Sequence, residues 1–351
     1  MNIMGKFDTK SYAVSGGTNG VGLTCANALS TEFLLETSRD GFVHYFKCEK
    51  GLVTTKLTKG KKTKKTGTFV KFNPDGSILD TTEWNVEKLE EMCKLAALLN
   101  NGLTVTFEVE SSKKKETFLY DNGAKSFVEE KIAELKKDEK SLKVVLPDTQ
   151  FISETIMVKE SNKESGEKSE KEVVVDISFN YTTSDKESYH TFVNGIRTPL
   201  GGSHLTGTRL ALSKAIMAHI KSNDLLGKRD KNLKITGEDC REGLVYFVSV
   251  RFPEPQFHSQ TKDELGSREG QSATQTVMGQ YLKELFSSDP KIVKLICDRV
   301  ISSARARVAA KKAREVVRKE FTDTSLSLPT KLKDCVSTDP DECELFIVEG
   351  K

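Results

Sequence analysis

Apolar positions in the first hundred residues follow a helical spacing and then strand-like runs. Val21, Cys25, Ala28 and Leu29 recur at the spacing of one helix face, and the apolar run that follows is typical of a strand. Turn-forming residues at 73–76 close a later strand-like stretch. The predicted elements are a helix from Val21 to Leu29, strands at 33–35, 42–48 and 68–72, and a helix at 85–99.

The second half of the chain alternates between polar stretches and periodic ones. Residues 113–172 are rich in Lys, Glu and Ser. The string at 161–172 predicts an exposed hairpin tip or a flexible insertion, because it lacks the apolar residues that offset the entropy of ordering. The pattern then predicts strands at 173–181 and 244–251, the latter in alternating register, helical regions at 209–222 and 274–319, and a last buried-type strand at 345–348.

The composition is that of an ordinary globular chain of 351 residues, long enough for two or three domains. No apolar run of 18 residues and no signal-peptide pattern occurs, which favours a cytoplasmic protein without membrane insertion. Seven scattered cysteines without a C-x-x-C pair argue against a disulfide framework and a zinc ribbon. The net charge of +3 says little about nucleic acid, because clustering of charge matters more than its sum.

The first candidate for chemistry is the string SGGTNGVG at 15–22, which puts four glycines before and at the start of the first predicted helix. Glycine lets the backbone approach phosphate oxygens, and a helix start offers unpaired N–H groups and a positive dipole end. The pattern fits phosphate binding, and it also fits a tight glycine turn that binds nothing. From the residues alone both interpretations stay open.

The second candidate is the string VRFPEPQFHSQTKDEL, in which Gln260 and Lys262 follow a strand and a rigid segment with two prolines. A lysine on such a loop can reach a γ-phosphate as a point charge, while the glutamine can hydrogen-bond the phosphate or the surroundings of an attacking water. An ordinary surface lysine is the alternative.

Eight strings along nearly the whole chain resemble the B-type subunit of bacterial DNA gyrase and topoisomerase IV and the corresponding phage subunits. They are GKFDTKSYAVSGGTNGVG, TGTFVKFNPD, TFVNGIRTPLGGSH, TGEDCREGL, PEPQFHSQTKDELG, SARARVAAKKARE, LPTKLKDC and ELFIVEG. The resemblance implies an ATP-dependent type II DNA topoisomerase that uses ATP and Mg²⁺. It implies an α/β fold with a partial GHKL ATPase sheet at 1–125, a ribosomal protein S5 domain 2-like transducer at 126–325 with an insertion near 158–172, and a linker with the first TOPRIM strand at 326–351.

The resemblance also implies roles for single residues. Tyr12 and Thr68 match residues near the nucleotide, while Gln260 and Lys262 match the catalytic pair that senses the γ-phosphate. Glu349 matches the first TOPRIM carboxylate, which serves catalysis and metal binding. The lid over the triphosphate corresponds to Gly17, Thr18, Asn19, Gly20, Val21 and Gly22.

Several family motifs are missing from the sequence. The general-base glutamate, the magnesium asparagine and the adenine aspartate precede the glycine loop in the family, and further TOPRIM carboxylates follow the counterpart of Glu349. We therefore expect a split, phage-encoded subunit and a second chain that supplies these parts. The further expected partners are an A-type subunit and double-stranded DNA, in a dimeric assembly. We expect the isolated chain to be inactive. The string Asp121-Asn122-Gly123 mimics the adenine motif but predicts a surface turn.

Basic runs are the candidates for nucleic-acid contacts. The resemblance puts one run on a transducer helix beside the path of a captured DNA segment, with a solvated helix face as the alternative. The run at 59–65 predicts a solvated hairpin tip, and His204, like the other histidines, lacks metal-ligand spacing and predicts a structural role. The DNA-binding candidates are Arg305, Arg307, Lys311, Lys312 and Arg314.

Two other functional classes remain as alternatives. One is a non-catalytic fragment or a DNA-clamping module that regulates a complete enzyme. The other is a mismatch-repair or chaperone ATPase with the same glycine loop, against which the strings around Gln260 and LPTKLKDC argue.

Overall fold

The computed structural model describes most of the chain, and the predicted strand at 345–348 lies outside the described part. No helix among the described residues is both long and apolar enough to cross a membrane. The described residues are Gly17, 20–161, 168–230, 232–325, Asp339, Asp341, Cys343 and Glu344.

The first part of the described chain is an antiparallel sheet preceded by one short helix, α1 (Gly22–Ala28). The strand order is β3-β2-β1-β4. The predicted helix and the three strands predicted in this region are confirmed, although each strand is longer than its apolar run. The strands are β1 (Ser30–Arg39), β2 (Phe42–Glu49), β3 (Leu52–Lys62) and β4 (Gly67–Pro74).

The basic run at 59–65 is only partly the predicted hairpin tip, because its first four residues belong to β3. The ammonium of Lys59 lies 3.4 Å from the ring centre of Phe42 on the neighbouring strand. β3 is an edge strand of its sheet. Lysines suit such a position, since charged side chains protect the unpaired edge from association.

One face of this sheet is apolar, and the described residues cover it only in part. The register puts Phe33 of β1 between Cys48 of β2 and Phe72 of β4. Phe33 and Cys48 are buried, whereas Phe72 is exposed and packs edge-on against the exposed Trp84. Over its whole length α1 buries none of its side chains. An apolar sheet face of this kind normally packs against a second layer.

The middle of the chain holds two helices separated by a small hairpin. Asn85 caps the first helix by accepting a hydrogen bond from the backbone N–H of Lys88 at 2.9 Å, and the helix predicted at 85–99 is confirmed. The second helix is not predicted by the pattern, because Lys and Glu dominate its sequence. The elements are α2 (Val86–Leu99), β5 (Val105–Val109), β6 (Lys114–Phe118) and α3 (Gly123–Asp138).

The surface turn predicted at 121–123 is wrong. Asn122 caps α3 by accepting a hydrogen bond from the N–H of Lys125 at 3.1 Å. Gly123 is buried where α3 meets the end of α2, and a Cβ there would overlap the carbonyl oxygen of Leu98. An Asn-Gly pair serves helix starts as well as turns, because asparagine caps and glycine permits close approach. The predicted domain boundary at 125/126 falls within α3, and the domain division stays a prediction.

A five-stranded mixed sheet forms the centre of the second part, in the order β10-β9-β12-β8-β7. β12 runs parallel to β9 and antiparallel to β8. β7 and β8 pair out to Ser161 and Lys168, so 168–172 of the stretch predicted as a hairpin tip or insertion belong to β8, and 162–167 lie outside the described residues. The strands are β7 (Gln150–Ser161), β8 (Lys168–Tyr181), β9 (Ser188–Val193), β10 (Ile196–Arg197) and β12 (Leu244–Arg251).

The central strand β12 matches its predicted bounds but not its predicted alternation. Val245 and Phe247 pack against α3, with the ring of Phe127 5.4 Å from that of Phe247. Tyr246 and Val248 on the other face join the larger core beneath three long helices. Helices cover both faces, so every position of β12 before Arg251 is buried, as in a strand covered by helices on two sides.

The helices of the larger core are α4 (Ser203–Ser222), α5 (Arg268–Ser288) and α6 (Pro290–Ser325). The predicted helical region at 274–319 is therefore two helices. Asp289 separates them and caps α6 by accepting hydrogen bonds from the N–H groups of Lys291 and Ile292, both at 3.1 Å. Pro290 takes the first helical position, where its missing N–H costs nothing.

Candidate functional site

The glycine loop is only partly described, because Thr18 and Asn19 lie outside the described residues. Tyr12, which precedes the loop, also lies outside them. Gly20 adopts a left-handed conformation with φ +63°, which glycine tolerates without strain. Val21 is exposed, and no atom of the described residues lies within 4 Å of the position that a Cβ on Gly22 would take. The described part of the loop is thus an open backbone surface.

Thr68 lies on the exposed end of β4, opposite Thr37 of β1. Alternation along the strand puts Thr68 on the same face as Phe72, which is the apolar face of the first sheet. The threonine predicted near the nucleotide therefore borders the surface that the described residues leave uncovered.

Gln260 and Lys262 lie on a loop at 257–265, which we call the 257–265 loop. Phe257 pairs with Leu265, and the N–H of His258 donates to the carbonyl of Glu264 at 3.1 Å, so the loop closes as a hairpin. Gln260 is exposed at its tip. Lys262 has a left-handed φ of +60°, its N–H donates to the carbonyl of Ser259 at 3.1 Å, and its ammonium lies 5.8 Å from the ring centre of Phe257.

The stem of the 257–265 loop is fixed on two sides. On one side a parallel pair joins β11 (Gly201–Gly202) to β13 (Glu264–Leu265), and the N–H of Leu200 donates to the carbonyl of Asp263 at 3.0 Å. On the other side, Gln256 accepts from the N–H of Gly266 at 2.8 Å, and its own N–H donates to Ser267 Oγ at 2.7 Å. The loop therefore presents the amide of Gln260 and the ammonium of Lys262 from a rigid stem.

His204, at the start of α4, is buried, and its Nε2 lies 3.3 Å from the hydroxyl of Thr198. Burial lowers the pKa of His204 to about 3, so the ring is neutral at physiological pH. A neutral, enclosed imidazole agrees with the structural role predicted for it.

The predicted DNA-binding residues of α6 differ in their surroundings. Arg305 donates to Asp230 at 2.6 Å, and Arg307 grips the buried Asp239 with two hydrogen bonds of 2.7 and 2.9 Å. Burial raises the pKa of Asp239, but the hydrogen bonds from Arg307 and Thr236 outweigh it and hold the pKa below its usual value. These two arginines hold α6 to the 230–239 segment.

The next cations on α6 are presented to solvent. Lys312 and Arg314 are exposed, and so is Lys311, whose ammonium lies 4.0 Å from the carboxylate of Glu315. DNA binding by α6 stays a prediction. The charges of these three residues are more accessible to DNA than those of Arg305 and Arg307, which are paired with acids.

One polar cluster escapes sequence reasoning altogether. Glu187 accepts hydrogen bonds from Tyr246 at 2.5 Å, Arg209 at 2.8 Å and Arg241 at 3.3 Å. Burial raises the pKa of Tyr246 well above its usual value, so its hydroxyl remains a donor at neutral pH. The members come from four separate segments, which is why no motif reveals them. The cluster ties α4 to β12.

Glu349, the predicted metal ligand and catalytic acid, lies outside the described residues. Within the described part of the chain, no group of three or more His, Cys, Asp or Glu side chains is arranged to hold a metal ion.

Comparisons with known proteins agree on one family. A family model described as DNA gyrase B matches residues 123–316. The chain is 38% identical over 348 residues to the DNA gyrase B protein of Chlamydia muridarum, covering 99% of this chain and 41% of that protein. It is 37% identical to the DNA gyrase B protein of Bacillus mycoides, covering 99% of this chain and 80% of that protein. Against other curated relatives, such as that of Haloferax lucentense, it spans about half of their length (51%).

Solved structures give the same result. The 43K ATPase domain of Thermus thermophilus gyrase B, solved with an aminocoumarin, has a TM-score of 0.65 and 30% identity, covering 85% of this chain and 75% of that chain. The topoisomerase IV ATP-binding domain of Francisella tularensis, solved with an inhibitor, has a TM-score of 0.63 and 28% identity, covering 84% and 75%. The α/β fold predicted from the sequence is confirmed as that of these ATPase domains.

Proposed function

This chain belongs to the DNA gyrase B family, and we propose that it is the part of an ATP-dependent type II DNA topoisomerase that senses the γ-phosphate and couples it to DNA strand passage. The observation that carries the proposal is the 257–265 loop, whose stem is fixed on both sides. A cation that distinguishes a triphosphate from a diphosphate needs a rigid stem of this kind, because a misplacement of the charged group by about 1 Å can weaken catalysis about a hundredfold.

Lys262 and Gln260 have different tasks in this proposal. The ammonium of Lys262 binds the γ-phosphate and stabilises the charge that develops on it, while the amide of Gln260 orients the phosphate or the attacking water. The short span between them keeps both groups on one loop, so the loss of the γ-phosphate releases the loop as a unit.

We assign the rest of the nucleotide site to the glycine loop and the first sheet. The open space beside Gly22 and the left-handed backbone at Gly20 support a triphosphate there, because glycine lets the backbone approach phosphate oxygens. The assigned lid residues are Gly17, Thr18, Asn19, Gly20, Val21 and Gly22, with Tyr12 and Thr68 near the nucleoside. For Mg²⁺ we assign Glu349, and since it lies outside the described residues no step is routed through the metal.

We also propose partners. The uncovered apolar face around Phe72 and Trp84 supports a second polypeptide segment or chain that covers the first sheet and completes the nucleotide site. Until that face is covered, we expect ATP to bind weakly and not to turn over. The family supports an A-type subunit, a dimeric assembly and double-stranded DNA as partners. Lys311, Lys312 and Arg314 are the accessible residues that we propose contact the DNA backbone phosphates.

The test is the preference of the chain for ATP over ADP, measured by ligand-detected ³¹P NMR, which works for weak binding. We expect Lys262→Ala to reduce this preference about tenfold with little change in ADP affinity, because a charge-assisted hydrogen bond contributes about 1.5 kcal/mol or more. Lys283→Ala, which removes an exposed lysine of α5, is the matched control and should leave the preference unchanged. An unchanged preference in Lys262→Ala contradicts the proposal.

A further inference from the structure

Gly202 packs so closely against the stem of the 257–265 loop that no room is left for a side chain. Gly202 has φ +124°, and a Cβ built on it would overlap the backbone nitrogen and oxygen of Leu265. Leu265 is a strand residue of β13 and also closes the loop by pairing with Phe257. Any atom added at Gly202 must therefore push the stem of the loop outward.

Ser203 fixes the same stem from the side of α5. Its hydroxyl donates to the carbonyl of Ser267 at 2.5 Å, and Ser267 Oγ accepts from the N–H of Gln256. A Cβ on Gly270 would lie 2.9 Å from Ser203 Oγ, so the starts of α4 and α5 are in direct contact at this point. The residues that hold the loop are thus Gly202, the N-cap of α4, Ser203, its first residue, and Ser267, the N-cap of α5.

The two helices stay in contact beyond this point. A Cβ on Gly207 of α4 would overlap the carbonyl oxygen of Gln271 on α5. The hydroxyl of Thr274 on α5 donates to the carbonyl of His204 on α4 at 2.9 Å. Because the helices touch backbone to backbone, a shift of the loop stem cannot be absorbed by side chains and passes to the helix pair.

We propose that Gly202 and Ser203 are positioning residues for Lys262. They fix the position of the 257–265 loop relative to α4 and α5 and link the loop to this helix pair. This inference rests on the proposed function of Lys262, and it adds the route by which the loop communicates with the helices. In this inference they act on the nucleotide only through Lys262.

The first experiment measures hydrogen exchange of the backbone amides at 257–265 in the full chain. Gly202→Ala should speed their exchange about tenfold or more, because the displaced stem opens locally at lower free energy. The matched control is Gly102→Ala, which also has a positive φ, +76°, but open space around its Cβ position. It should leave exchange at 257–265 at the wild-type rate.

Ser203→Ala is the second variant and removes the hydrogen bond to Ser267 without adding an atom. It should give an intermediate increase in exchange at the loop, and it keeps the test valid if Gly202→Ala fails to fold. Wild-type exchange at 257–265 in Ser203→Ala, or an equal increase in Gly102→Ala, overturns the positioning role.

The second experiment separates positioning from a general structural effect by a double-mutant cycle on the preference for ATP over ADP. Ser203→Ala or Gly202→Ala should lower the preference in the wild-type background and have no further effect in Lys262→Ala, since both act through the same ammonium. Additive losses overturn the inference. A Lys262→Ala variant with full ATP preference overturns the proposed function instead, while the exchange experiment still decides whether Gly202 and Ser203 hold the loop.

Discussion

At the scale of single residues, glycine decides the closest approaches in this molecule. Gly123 lies against the backbone of Leu98, and Gly202 lies against that of Leu265. Neither is identified by its local sequence, since Asn122-Gly123 is typical of a turn and Gly201-Gly202 of a flexible link. What makes them irreplaceable is a neighbour distant in sequence, which no local pattern contains.

We expect Gly123→Ala to lower the free energy of unfolding by about 2 kcal/mol, because the new methyl group must displace the backbone of α2. Gly279→Ala on α5 is the matched control, since its Cβ position is open. It should raise stability by about 0.5 kcal/mol, because alanine favours the helix. Urea denaturation followed by circular dichroism measures both changes.

Equal effects of the two substitutions would contradict the close packing of α3 against α2. So would a loss of stability confined to Gly279→Ala.

At the scale of elements, the amphipathic pattern predicts long helices and strands well. It fails where a strand is covered by helices on both faces or where a helix buries only a narrow face. The helix at 85–99 and the strand bounds of β12 follow from periodicity. β12 is buried on both faces because α3 packs on one side and the long helices on the other, which changes the expected alternation. The pattern also misses α3, whose buried face is narrow and whose remaining surface is rich in Lys and Glu.

The two groups of cations on α6 should separate in their effects. Arg307→Ala should lower the free energy of unfolding by about 2 kcal/mol and should retain most of the DNA affinity, since the buried Asp239 loses a partly exposed cation but keeps its hydrogen bonds from Thr236. The triple variant K311A/K312A/R314A should keep stability within about 0.5 kcal/mol and reduce the salt slope of DNA binding by about 3. Denaturation and anisotropy of a labelled duplex at several salt concentrations measure these effects.

Arg305→Ala is the control for the stability effect of Arg307→Ala, because its ion pair with Asp230 is more exposed and its loss should lower the free energy of unfolding much less. Unchanged DNA binding in the triple variant would exclude these three residues as phosphate contacts.

At the scale of the whole molecule, the four-stranded and the five-stranded sheet differ in how completely other elements cover their faces. The five-stranded sheet has helices on both faces, and its core is closed. The first sheet keeps exposed aromatic residues on the face that Thr68 borders. The proposed nucleotide site thus lies beside an apolar surface that the described residues do not close, which favours completion of the site by another layer.

Trp84 is the sole tryptophan of the chain and reports directly on that surface. It is 53% exposed, so its emission should be red-shifted and readily quenched by acrylamide in the isolated chain, and should shift to the blue when a partner covers the sheet. Steady-state fluorescence measures both. Trp84→Phe is the control and should abolish the signal, whereas a blue, poorly quenched emission from the isolated chain would show that the face is already covered.

The sequence by itself determined the α/β class, the family, the bounds of most periodic elements and the identity of Gln260 and Lys262 as candidates, because these depend on local spacing and on motifs contiguous in the chain. Only the tertiary structure decided that Arg305 and Arg307 are paired with acids, that Gly123 starts a buried helix, and that the 257–265 loop stands on Gly202 and Ser203. Each of these depends on a contact between segments far apart in sequence, where close packing and desolvation fix which partner a residue meets.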